Sequence, residues 1–159
     1  MTLEGILRVF RAHVDHRQRA LIRRLAKQPR RALPLLKTIA SGDETPSVKR
    51  WAVEACGSMP ERLAWPVVAK ALRSPFMSVR LHALCAVGAF GNGRRANSLR
   101  RLLRDESGGI RINALSLLGH FRPSWLRHEL KLALADEKLY VRRLAKRLLA
   151  GPLEKTSRT

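Results

Sequence analysis

VKRWAVEACG (48–57), VRLHALCAVG (79–88), IRINALSLLG (110–119) and VRRLAKRLLA (141–150) are four copies of one pattern, each 31 residues after the last. A β-branched residue opens each copy, a base follows it, and an alanine stands three residues beyond the base. Self-similarity at a fixed period of this length marks a repeat protein, in which each unit buries its apolar face only by stacking on its neighbours. Function is therefore to be sought on the stacked surface.

Between the copies, residues 63–72, 95–104 and 126–135 place leucine, valine and alanine at three-and-four spacing and read as first helices, with Leu33 to Ala40 as the corresponding segment of the first unit. The anchors Val48, Val79, Ile110 and Val141 begin the second helices. Five residues before each stand Asp43, Ser74, Asp105 and Asp136, which predict a row of helix caps. Gly57, Gly88, Gly119 and, one residue late, Gly151 are expected to end the second helices in the left-handed conformation. Residues 3–14 and 16–31 read as two further helices, with Pro29 near the end of the second. The organisation expected is an N-terminal basic helical cap at 1–32, four repeats over 33–151, and a disordered tail at 152–159, where the apolar period stops.

The motif Asp–x4–Val–Arg–x2–Ala–x4–Gly resembles the short HEAT-like repeats of the phycobilisome-lyase type, over roughly residues 33–151. The resemblance implies an all-α fold, a right-handed α-solenoid of about four helix pairs. It also implies a ladder in which Asp43, Asp105 and Asp136 pair with Lys49, Arg80, Arg111 and Arg142 of neighbouring repeats. Ser74 breaks that ladder. The resemblance specifies fold rather than function, because such repeats serve lyases, adaptors, nucleic-acid enzymes and scaffolds alike.

Composition narrows the function classes. Hydrophobic content is 45% with only 5% aromatic, so the core is built from leucine, alanine and valine. No run of about 18 uncharged apolar residues exists, so neither a membrane span nor a secretory signal is expected, and a cytoplasmic address follows. Cys56 and Cys85 fall at different repeat positions and are expected to be free thiols. The 32 Lys and Arg against 12 Asp and Glu give a net charge of +20, which calls for a polyanionic counterpart.

Half of the acids are the pairs Asp43–Glu44, Asp105–Glu106 and Asp136–Glu137, all in the turn within a helix pair. The bases concentrate elsewhere. The second N-terminal segment carries Arg17, Arg19, Arg23, Arg24, Lys27, Arg30 and Arg31 with no acid among residues 16–31. The first helices carry Lys70, Arg73, Arg94, Arg95, Arg100, Arg101, Arg104, Arg127 and Lys131, several of them 31 residues apart. These two groups are the expected nucleic-acid footprint, touching phosphates without reading sequence. Lys49, Arg80, Arg111 and Arg142 are expected to hold repeats together instead.

The leading expectation is a non-enzymatic repeat protein that binds nucleic acid, DNA or RNA, with no cofactor. The alternative is an adaptor that docks an acidic protein on an inner face around Trp51, Glu54, His82 and Asn113. The pair Trp51 and Glu54 is also loosely similar to alkylpurine DNA glycosylases made of HEAT-like repeats, although an ion pair of Glu54 with Arg50 explains the carboxylate more simply. His82 and Cys85, three apart, lack an orienting residue and an oxyanion donor. His13, Asp15 and His16 lack a third zinc-type ligand, so no metal site is expected.

Overall fold

Second helices begin at Pro46, Met77, Gly108 and Leu139, at the 31-residue interval set by the sequence, in a computed structural model that describes residues 2–12 and 14–151. The anchors Val48, Val79, Ile110 and Val141 each sit two residues inside their helix and are buried, which is why the β-branched position recurs. No strand occurs among the described residues, and the fold is all-α as expected. The expected tail at 152–159 lies outside them.

The chain divides into two compact units, Met1–Gly91 and Asn92–Thr159. The first contains α1 (Leu3–Arg11), α2 (Asp15–Ala26), α3 (Pro29–Ser41), α4 (Pro46–Gly57), α5 (Glu61–Ala71) and α6 (Met77–Ala89). Helix α4 is its centre and packs against the other five. Its core includes Phe10, Leu25, Leu36, Ile39, Ala52, Val53, Val68 and Val87. Helix α2 ends earlier than its charge pattern suggested, because Pro29 starts α3 instead of closing α2. Proline lacks only an amide that the first turn of a helix leaves unbonded anyway. Arg30 and Arg31 therefore belong to α3.

The second unit contains a broken first helix, made of a 3-10 turn (Gly93–Arg95), α7 (Ala96–Leu99) and a 3-10 segment (Arg100–Arg104). It is followed by α8 (Gly108–Phe121), α9 (Leu126–Ala133) and α10 (Leu139–Ala150). Leu99, Leu102, Ile110, Leu115, Leu118, Leu126 and Leu130 form its core.

Two expectations about helix ends are corrected. Asp105, Asp136 and Ser74 are not helix caps proper. Each stands three residues before its helix and accepts from the amide two residues on: Ser107 N at 3.0 Å, Lys138 N at 2.8 Å and Phe76 N at 3.3 Å. They close the turn. In the first pair Thr45 is the cap, its hydroxyl accepting from Val48 N at 3.4 Å. The repeat glycines are not left-handed either. Among described glycines only Gly91 has positive φ, at 68°, whereas Gly57, Gly88 and Gly119 lie inside their helices. Gly57 and Gly119 are small because a neighbour is close: a Cβ on Gly57 would stand 2.9 Å from Ala86 Cα, and one on Gly119 would stand 2.9 Å from Leu148.

Candidate functional site

The arginine that follows each anchor is drawn back over its own turn. Arg80 Nη1 donates to the carbonyls of Ser74 and Pro75, both at 3.0 Å. Arg111 Nη1 donates to those of Asp105 and Glu106, and Arg142 Nη1 to those of Asp136 and Glu137. Arg111 uses its remaining nitrogens on the next repeat, with Nε and Nη2 gripping the Asp136 carboxylate at 2.8 and 2.9 Å and Nη2 also reaching Glu137 at 2.9 Å. The Arg111 guanidinium holds the Asp136 carboxyl below its ordinary range. This rung of the expected ladder is present. Where Ser74 replaces the aspartate, Lys49 instead sits over the Phe76 ring, 5.3 Å from its centroid.

The basic residues fall into two physical classes. Arg17, Arg19, Arg23 and Arg24 on α2, Lys27 just after it, and Arg30 and Arg31 at the start of α3 are all exposed, while Gln18, Ile22 and Leu25 of α2 are buried. None of the seven has a carboxylate within ion-pair distance among the described residues. Arg30 and Arg31 share a groove with Arg62. Lys70 and Arg73 are likewise exposed on the first unit.

In the second unit Arg94, Arg101, Arg127 and Lys131 are exposed and Arg95 is half-buried. Arg100 and Arg104 clamp Glu129, Arg100 Nε at 2.7 Å and Arg104 Nη2 at 3.1 Å, and the Glu129 side chain is only 2% exposed. Arg100 also lies over Trp125, whose indole nitrogen donates to Asn97. A buried carboxylate must be paired to be tolerated, so these two bases pack the fold together. Sequence reading missed Glu129; its signal was a lone acid on an otherwise basic first helix.

The inner-face candidates are not an aromatic platform. Trp51 is 3% exposed and covered by Arg50, whose guanidinium carbon stands 4.5 Å from the ring centroid. Arg50 is thus taken up by the tryptophan, and Glu54 faces His82 instead, Oε2 to Nε2 at 3.5 Å. His82 Nδ1 contacts Ser78 O at 2.8 Å, and Asn113 turns its amide back onto Gly109 O. Cys85 is exposed and Cys56 is buried; both are free. Burial pushes the Cys56 thiol up to about 12, and burial followed by Glu54 raises that of Cys85, so neither is primed as a thiolate nucleophile. Among the described residues no three His, Cys, Asp or Glu side chains could hold a metal ion, and His13 lies outside them. No described helix is long and apolar enough to cross a membrane.

Residues 33–119, more than half of the chain, match the family model described as HEAT repeats, and the chain belongs to that family. Among solved structures it is similar to a chain in the complex of CpcE and CpcF of phycocyanin lyase from Nostoc sp. PCC7120. The two are 19% identical with a TM-score of 0.60, over 94% of this chain and 64% of that one. The present chain thus spans less than two thirds of that protein's length. A comparison with curated proteins gives no match. The expectation of a non-enzymatic protein is corrected by this likeness: a lyase is built on the same fold, so the repeat architecture does not set a chain apart from enzymes.

Proposed function

We propose that the chain is a HEAT-repeat adaptor that docks an acidic protein partner. The observation that carries this reading is the unpaired cationic surface of the first unit, where Arg17 to Arg31, Lys70 and Arg73 are exposed without carboxylate partners among the described residues. Such charge steers an acidic partner and selects it more than it sets raw affinity. The similar lyase chain comes from a complex of CpcE with CpcF, which supports a protein partner for this architecture. Because Trp51 is buried, the contact is placed on the exposed bases and not on an inner-face aromatic.

A second reading, nucleic-acid binding, is favoured by one specific observation. The seven bases of residues 17–31 all face solvent with no acid between them, as a phosphate-binding surface requires. Native purification of the chain from its source cells, with and without nuclease, separates the two. A stoichiometric acidic protein retained after nuclease treatment is the expected result; retention of nucleic acid alone, lost on nuclease treatment, contradicts the adaptor reading.

A further inference from the structure

Corresponding grooves occur in the two units, one with acids and bases balanced and one with bases alone. In the second unit a groove of about 260 Å³ is lined by Arg111, Glu129, Leu132 and Asp136 over a floor that includes Val141. Two repeat lengths earlier, in the first unit, a groove of about 360 Å³ has Lys49 in the place of Arg111, Val67 for Glu129, Lys70 for Leu132 and Ser74 for Asp136. Arg73 joins it, in the place of Ala135. Both carboxylates have gone, Lys70 and Arg73 are gained, and Arg104 has its counterpart in Gly42, so two acids and two bases are replaced by three bases and no acid.

The replacement of Asp136 by Ser74 keeps the turn and removes the acid. Ser74 Oγ still accepts from Phe76 N and closes the turn, as Asp136 Oδ1 does from Lys138 N. What Ser74 lacks is the carboxylate, both of whose oxygens Arg111 grips in the twin. Lys49, Lys70 and Arg73 have no ion pair among the described residues, and no carboxylate lines the groove. Beneath them Val67, Ala71 and Val79 are buried and apolar, and Phe76 stands at the rim, 38% exposed.

We infer that this groove takes an acidic segment of the partner polypeptide. An Asp or Glu carboxylate sits beside Lys49 and Ser74 where Asp136 sits beside Arg111, and an adjacent apolar side chain rests on Phe76 and the valine floor. A carboxylate is chosen over a phosphate because the twin groove is filled by carboxylates of the chain itself. The apolar floor also suits a polypeptide side chain better than a nucleic-acid backbone. The inference rests on the adaptor reading and gives it an address.

The test is fluorescence anisotropy with a labelled, amidated peptide of alternating glutamate and leucine, its glutamine counterpart, and a labelled DNA duplex. The wild-type chain is expected to bind the glutamate peptide and not the glutamine one. Lys49→Gln should weaken binding about tenfold, the scale of one charge-assisted contact. Ser74→Asp supplies the missing acid from within, so it should abolish peptide binding and raise the melting temperature, whereas Ser74→Ala, which adds no acid and frees Phe76 N, should lower the melting temperature and keep peptide binding. Lys70→Gln with Arg73→Gln, both exposed, should weaken binding without loss of fold. Unchanged peptide binding in Lys49→Gln and Ser74→Asp overturns the groove and leaves the adaptor reading standing. Failure of the wild type to bind the glutamate peptide overturns both. Loss of DNA binding alone in Ser74→Asp overturns the inference in favour of a phosphate ligand.

Discussion

Arg111 holds Asp136 of the following helix pair through two parallel hydrogen bonds, Nε to Oδ2 at 2.8 Å and Nη2 to Oδ1 at 2.9 Å, while its third nitrogen seals the carbonyls of its own turn. One side chain thus closes a turn and ties two repeats together. The guanidinium fork suits both tasks because its donors are fixed in one plane.

Removing that fork should be costly, since the two side chains are 9% and 10% exposed. Arg111→Met should destabilise the chain by about 3 kcal/mol, the scale for orphaning one partner of a buried pair. Among the described residues Arg142 bonds only the carbonyls of its own turn, and it is half-buried, so Arg142→Met should cost about 1 kcal/mol. Urea unfolding of the two variants measures the difference, and equal losses would show that the Asp136 contact adds nothing.

Acid should break the same rung. The hydrogen bond from Arg111 is the first cause of the lowered Asp136 pKa, so this pair's stability is fully present above the ordinary carboxylate range. It is lost as pH falls through that range and then through the lower folded value. Asp136→Asn should flatten the acid limb of a stability–pH curve and leave the neutral limb parallel to wild type. An acid limb unchanged by Asp136→Asn contradicts the linkage.

The period, the helix pairs and the Arg111–Asp136 rung were legible because a 31-residue recurrence constrains every repeat at once, and Val48, Val79, Ile110 and Val141 bury as their phase demands. What escaped was set by contacts between particular residues. Gly57 reads as a helix terminator but is small because Ala86 approaches it, a fact about another helix. Arg100 and Arg104 read as a phosphate row but are drawn to Glu129, a buried acid that shares the inner face with Leu126 and Leu130. Trp51 reads as a platform, and burial under Arg50 decides otherwise. The unpaired groove was half visible, since the break at Ser74 was in the sequence, whereas its contrast with the Asp136 groove needed coordinates.

Gly57 and Gly119 should respond differently to a methyl group. Gly57→Ala places a Cβ 2.9 Å from the Ala86 backbone, which cannot yield cheaply, and should cost about 1–3 kcal/mol. Gly119→Ala meets only the tip of the Leu148 side chain, which can turn away, and gains helix propensity of about 1 kcal/mol, so it should be close to neutral. Thermal melts that rank Gly119→Ala below Gly57→Ala would contradict this.

The repeat alanines Ala52, Ala83, Ala114 and Ala145 are all fully buried. Ala83→Leu or Ala114→Leu should therefore lower stability by about 1–3 kcal/mol. The same change at exposed Ala150 should be nearly silent. A wild-type melting temperature for Ala83→Leu would show the phase to be misassigned.

The first unit is expected to present its acid-deprived groove to an acidic polypeptide, and its twin in the second unit is not. The most direct measurement is a two-dimensional amide NMR titration of the full chain with the amidated glutamate–leucine peptide. The account predicts saturable shifts at Lys49, Ser74 and Phe76, with Arg111 and Asp136 unmoved. Equal shifts in both grooves, or shifts confined to neither, would contradict it.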